Sequence, residues 1–187
     1  HGQPYFEYLR HHPDASVNFN RAMAAGTNAR IEALVNLDWS KHTHVADIGG
    51  GSGTALASVL SANTQSNALL SEMKNVAAEA KPILEQAGVA DRCKIAGGDF
   101  LSDPLPPADA YILSKILHDW DDERASTILR NCRRTISSEG SLLVLDSVVP
   151  SGPAPALLKH MDLHMLVMFG GKERTADEWR HLLAAEA

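Results

Sequence analysis

The spacing of apolar and polar positions changes character near residue 43. Over residues 4–37, Phe6 and Leu9, then Phe19, Met23, Ile31, Leu34, Val35 and Leu37 recur at threes and fours. That spacing predicts helices, with Pro13 and Gly26 as breaks. Beyond it, short β-rich runs alternate with helical ones. "HVADIGGGSG" reads as a strand that ends in glycines, followed by the helix "TALASVLSA". "NALLSE" predicts a second strand, and "VAAEAKPILEQAG" a second helix with Gly88 as its C′ residue. "CKIAGGD" and "ADAYILSKIL" are the third and fourth strands. "DDERASTILRNCRRTI" is a helix with Ala125, Ile128, Leu129, Cys132 and Ile136 on one face. A fifth strand, "GSLLVLDSVV", precedes a long apolar helix, "PALLKHMDLHMLVMF". The last helix, "TADEWRHLLAAEA", opens at Thr175, with Glu178 three residues on as a capping box.

Strands alternating with helices of about 10–15 residues predict an α/β fold with a doubly wound, mostly parallel sheet. Residues 1–40 form a helical lead-in, and residues 41–187 a single domain. No internal repeat or low-complexity tract interrupts it. A length of 187 residues suffices for one full hydrophobic core. The net charge of −6, with no basic stripe, argues against a nucleic-acid surface. Cys93 and Cys132 lie in no metal-binding spacing, which reads as a reducing compartment without structural zinc. No apolar run approaches the roughly 20 residues of a membrane span, and no secretory signal is visible. The expected location is the cytoplasm. A start without Met and a stop within "LLAAEA" suggest part of a longer protein.

Candidate chemistry begins at "DIGGGSGT", Asp47 to Thr54, between the first strand and its helix. Glycines let the backbone approach a ligand, and the helix N-terminus offers free N–H groups. An adenosine-containing cofactor fits that edge of the sheet. The dinucleotide fingerprint G-x-G-x-x-G/A stays incomplete, because its last position is Thr54 or Leu56. Glu72 ends the second strand, where a carboxylate accepts ribose hydroxyls in nicotinamide and S-adenosylmethionine sites alike. Asp99 and Phe100 close the third strand as candidate adenine contacts; a plain turn explains Asp99 equally well.

The run "ILSKILHDWDDE" ends an apolar strand on His118, Asp119 and Trp120. Its acids Asp121, Asp122 and Glu123 read as a helix cap and first-turn charges. His160 and His164 stand four apart, yet without the H-E-x-x-H pattern or a third ligand nearby, so no metal site is expected.

Taken together, "VADIGGGSG", "AGVADRCKIAGGDFLSDPLPPADAYILSKILHDWDDE", "LLVLDSVVP" and "DLHMLVMFGGKERTADEW" resemble, in order and spacing, the S-adenosylmethionine-dependent O-methyltransferases of the plant caffeate/acetylserotonin type and their bacterial natural-product branch. The likeness covers nearly the whole chain. It implies a Rossmann-like class I methyltransferase fold, S-adenosyl-L-methionine as cofactor with S-adenosyl-L-homocysteine as product, and a hydroxylated aromatic small-molecule substrate. It also implies a homodimer formed through an N-terminal domain outside this sequence, and further strands after the last helix. By matching motif, His118 would be the general base, with Asp146 and Glu173 as the acids that orient it. Asp47, Gly49, Gly51, Glu72, Asp99, Phe100, Ser114, Asp119 and Trp120 would contact the cofactor. Met161, Asp162, Met165 and Phe169 would face the acceptor, although core packing alone accounts for such a helical face as well.

Three departures stand out. "SEMK" replaces a pattern like "FDLP", so Glu72 is one methylene longer than the usual Asp, and Lys74 replaces Pro. Ser114 replaces a lysine of plant members. Asp146 is shorter than their Glu. A nicotinamide-dependent oxidoreductase and a non-catalytic cofactor-binding relative are the competing readings.

Overall fold

A computed structural model describes residues 2–25, 28–153 and 157–186. Three helices lead the chain: α1 (Tyr5–His11), α2 (Pro13–Ala25) and α3 (Asn28–Val35). Then come β1 (His44–Ile48), α4 (Thr54–Ala62), β2 (Asn67–Glu72), α5 (Lys74–Gln86), β3 (Cys93–Gly97) and β4 (Ala108–Ser114). The remainder is α6 (Asp122–Thr135), β5 (Ile136–Leu145), β6 (Val148–Val149), α7 (Leu157–Phe169), β7 (Arg174–Thr175) and α8 (Ala176–Ala185). Pro13 opens α2, where its missing N–H costs nothing. The break expected at Gly26, and Pro155 and Ala156 of the apolar helix, lie outside the described residues.

The main sheet has the order β3-β2-β1-β4-β5, and every pairing in it is parallel. Strands β1 and β4 are covered on both faces, which is why they read as continuous apolar runs. One core packs α4 and α5 on the sheet through Leu56, Leu60, Leu70, Leu84 and Ile112. Leu34 and Trp39 belong to that core, so the end of the lead-in is knitted to the sheet. The other core joins α6 and α8 through Ile48, Tyr111, Leu113, Leu129 and Trp179. The order in which strands are added reverses between β1 and β4, and the crevice at that switch, outside the strands' C-terminal ends, is where such sheets take ligands.

Three strand boundaries need correcting. The third strand stops at Gly97, so Asp99 and Phe100 lie in the turn beyond it. The fourth strand stops at Ser114, three residues short of the expected Leu117. Lys115 adopts φ +60°, turning the chain out of the extended state, and Leu117–Asp119 form a 3₁₀ turn. His118 therefore rides on a turn, not on a strand end. The fifth strand starts earlier, at Ile136, and stops at Leu145. Asp146 Oδ1 accepts the Ser147 N–H at 3.0 Å, which interrupts the ladder, and Val148–Val149 pair with β7 instead. Local signals served better elsewhere. Gly88 has φ +69° behind α5, and both hydrogen bonds of the Thr175–Glu178 capping box are made.

Candidate active site

At the C-terminal end of β1, the glycine loop is braced by the acid that follows it. Gly51, at φ +58°, donates its N–H to Glu72 Oε2 at 2.9 Å, and Met73 donates to Glu72 Oε1 at 2.7 Å. Beneath the loop, Asp47 is 1% exposed and its Oδ1 has no partner. A Cβ on Gly50 would stand 2.4 Å from Asp47 Oδ2 and Leu70 Cδ1, so any side chain there would fill the hollow. Burial, followed by the charge of Glu72, pushes the Asp47 carboxyl up to about 7. Burial also raises Glu72, outweighing its two backbone hydrogen bonds. An orphaned buried carboxylate oxygen, a loop without side chains and the start of α4 together fit a polar, adenosine-type ligand.

The other sequence-selected residues of this edge are spread around it. Asp99 is exposed and accepts the Leu101 N–H at 3.0 Å, as a turn residue does. Phe100 meets Trp120 edge-on at 6.2 Å. Ser114 Oγ accepts from Arg30 Nε at 3.1 Å, which ties α3 to the end of β4.

Across the crevice, His118, Asp146 and Glu173 come together from three separate segments. Nδ1 of His118 lies 2.9 Å from Glu173 Oε1 and 3.7 Å from Asp146 Oδ1. With Nδ1–H donating to Glu173, the lone pair sits on Nε2, which faces Asp119 Oδ1 at 3.5 Å. Burial works against charge on the ring, but the Glu173 hydrogen bond, Asp146 and Asp119 outweigh it, and the imidazole is raised above its ordinary 6.5. Glu173 moves the other way: burial is outweighed by its bond to His118 and by Lys115, holding it below the usual carboxylate range. Asp119 is pushed up to about 7, chiefly by burial.

Three residues absent from the sequence reading build this cluster. Lys115 Nζ lies 3.1 Å from Asp146 Oδ1 and 3.7 Å from Glu173 Oε1, and it donates to Ser147 Oγ. One ligating atom each of His118, Asp146 and Glu173 lies within 4.8 Å of the others, a grouping able to hold a metal ion. The positive charge those acids face here is that of Lys115. Arg174, fully buried, donates to the Leu117 and Trp120 carbonyls at 2.9 and 3.0 Å and pairs with Asp122 at 2.9 Å. It clamps the His118 turn to β7, so Asp122 does more than charge a helix start, while Asp121 caps α6 through the Arg124 N–H. Gly171 is the third. A Cβ there would fall 2.1 Å from the His118 carbonyl oxygen, and the neighbouring Lys172 N–H donates to that oxygen at 3.0 Å. Only the position of Gly171, at the end of an apolar helix, hinted at such an approach.

Facing this cluster, α7 divides its residues. Asp162 Oδ1 accepts the Glu173 N–H at 2.8 Å, Met165 is buried and Met161 is 38% exposed. Phe169 stacks on Phe6 and meets Tyr5 edge-on, both at 5.2 Å. Phe6 also stacks on Trp120 at 5.8 Å, and Phe19 joins the group. The lead-in thus supplies aromatic rings beside the His118 turn, which its helical spacing alone did not distinguish from core. His160 and His164 are exposed and belong to no such three-ligand grouping among the described residues.

Comparison with known proteins fits this geometry. The family model described as "O-methyltransferase domain" matches residues 1–187. The phenazine O-methyltransferase PhzM of Lysobacter antibioticus is 45% identical over 185 residues, 98% of this chain and 54% of that protein. The aclacinomycin 10-hydroxylase RdmB of Streptomyces purpurascens is 38% identical, covering 95% of this chain and 48% of its own length. Among solved structures, the O-methyltransferase NcsB1 from neocarzinostatin biosynthesis, in complex with S-adenosylmethionine and 2-hydroxy-5-methyl naphthoic acid, superposes with a TM-score of 0.89. It is 35% identical, with 99% of this chain and 55% of that one covered. This chain spans about half the length of the curated relatives it matches.

Proposed function

Since the chain belongs to the O-methyltransferase domain family, we propose that it is the methyl-transferring part of an S-adenosylmethionine-dependent enzyme acting on a hydroxyl of a flat aromatic metabolite. The observation that carries this reading is the His118 Nδ1–Glu173 Oε1 contact of 2.9 Å, which leaves Nε2 as a proton acceptor in the cleft. When bound, S-adenosylmethionine supplies an electrophilic methyl group on its sulfonium.

The protein's own part is positional and protonic. Asp47, the Gly49–Gly51 loop and Glu72 hold the cofactor's polar groups, with Glu72 placed to accept from ribose hydroxyls. Asp99, Phe100 and Ser114 complete that side, while Asp119 and Trp120 reach the cofactor from the His118 turn. The rings of Phe169, Phe6 and Trp120, with Met161, Asp162 and Met165 of α7, bound the acceptor and favour a planar shape. Holding the acceptor oxygen in line for attack contributes much of the rate. His118 Nε2 takes the hydroxyl proton. Glu173 fixes the tautomer and stabilises the imidazolium formed, and Asp146, 3.7 Å from the same Nδ1, adds its negative charge.

Two measurements test the reading. Calorimetry should give binding of S-adenosylmethionine and its demethylated product, with none for NAD. Labelled methyl transfer to a panel of phenols and naphthols should then occur with release of S-adenosylhomocysteine. Preference for NAD overturns the cofactor assignment. Hydroxylation of an acceptor without methyl transfer overturns the activity.

A further inference from the structure

Lys115 is the one described non-glycine residue with a positive φ, +60°. Side chains crowd the backbone in that conformation, so it persists where its surroundings fix it. Here the Lys115 N–H donates to Leu145 O at 3.0 Å, and Nζ reaches Asp146, Glu173 and Ser147.

The acids that Nζ reaches are shielded from water, while the Lys115 side chain itself is 26% exposed. The side chains of Asp146 and Glu173 are 2% and 1% exposed, and that of His118 is 12% exposed. Three acids face the ring: Glu173 from the segment before β7, Asp146 from the end of β5, and Asp119 from the ring's own turn. Asp162, on α7, is turned to the Glu173 N–H. Each acid facing the ring favours imidazolium over imidazole. Lys115 is the one cation among the groups that bear on the ring in the described structure. A ring held permanently protonated by its acids accepts no proton from a substrate.

We infer that Lys115 is a positioning residue that keeps His118 able to accept a proton near neutral pH, its ammonium group offsetting the acids that face the ring while it pairs with Asp146 and Glu173. The inference rests on His118 as the base of the reaction proposed above. Its effect is electrostatic. A merely structural lysine would alter stability without moving the titration of the ring.

Nuclear magnetic resonance of the labelled His118 ring, followed against pH, reads this without any substrate. Lys115→Met should raise the titration midpoint by about one pH unit, the scale set by a charge a few ångströms away. Asp146→Asn should lower it. Adding Lys115→Met to Asp146→Asn should bring the midpoint back up. Lys115→Arg keeps the charge and should keep both the midpoint and the acidic limb of kcat/KM near those of the parent. The inference fails if the double variant titrates with Asp146→Asn, a comparison that stands even where Lys115→Met alone does not fold. Failure of the base assignment looks different: His118→Ala would keep its methyl-transfer rate while the Lys115-dependent titration shift remained.

Discussion

On one side of the cleft, the Gly51 N–H meets Glu72 across 21 residues of a single strand–loop–helix–strand run. On the other, His118 meets Glu173 across 55 residues, and Asp146 and Lys115 arrive from two further places. The first side is held by backbone groups that glycine leaves uncovered. The second is held by ionised side chains whose protonation depends on one another. A contiguous motif therefore suits a part of the site that stays the same whatever is methylated. A cluster gathered from distant segments suits a part whose charge has to be set.

Replacing His118 by Ala strikes the second side alone and carries the largest expected effect. Methyl transfer should fall by about 10²–10⁴-fold, with S-adenosylmethionine affinity unchanged in calorimetry. Loss of affinity alongside rate would dissolve the division between the two sides. Next comes Arg174→Met, which leaves the Leu117 and Trp120 carbonyls without their donor. Denaturant unfolding should register a loss of about 2–3 kcal/mol. A neutral result would mean that water replaces the guanidinium.

Glu72→Gln probes the glycine-loop side. It exchanges a charged acceptor for an amide and should weaken S-adenosylmethionine binding about tenfold. The midpoint of the His118 titration should not move; a shift would show that the two sides communicate electrostatically. The smallest effect is that of pH on the intact protein. His118 is raised above 6.5, so its contribution to stability is full below that value and is lost as pH rises through the folded midpoint. Activity runs in the opposite direction, because the neutral ring is the base. Parallel melts and rate profiles should therefore cross, stability falling while kcat/KM rises. Profiles that rise together would place the titrating group elsewhere.

The same contrast explains what the sequence disclosed. The strand "NALLSE" ends at Glu72 as its pattern predicts, and Gly88 and Thr175 end and begin helices as their types require. These are local effects of backbone preference and periodicity. Lys115 reads as an ordinary residue within an apolar run, since nothing in "LSKIL" announces a left-handed turn. Arg174 sits beside Glu173 with no pattern marking it as buried. Its five donors find partners that only tertiary structure supplies. Asp146 and Glu173 were selected through resemblance to a family; periodicity alone leaves Asp146 as a residue within the fifth strand and Glu173 as a loop charge. Phe6 and Phe19 read as helical core, because a ring at a helical spacing serves packing and recognition equally.

Glu173 reaches His118 from outside the main sheet, at the entrance to β7, which pairs with β6 through only Val148–Arg174 and Val149–Thr175. Val148 is 52% exposed. So short a pairing belongs to the segments that open at low free energy, well before a five-stranded core gives way. Hydrogen exchange should find the amides of Lys172 to Thr175 less protected than those of β1 and β4. Each such opening takes away the acid that fixes the ring's tautomer while the glycine loop keeps its shape. Inactivation by warming would then precede unfolding, leaving a protein that is folded, able to hold a nucleoside, and idle.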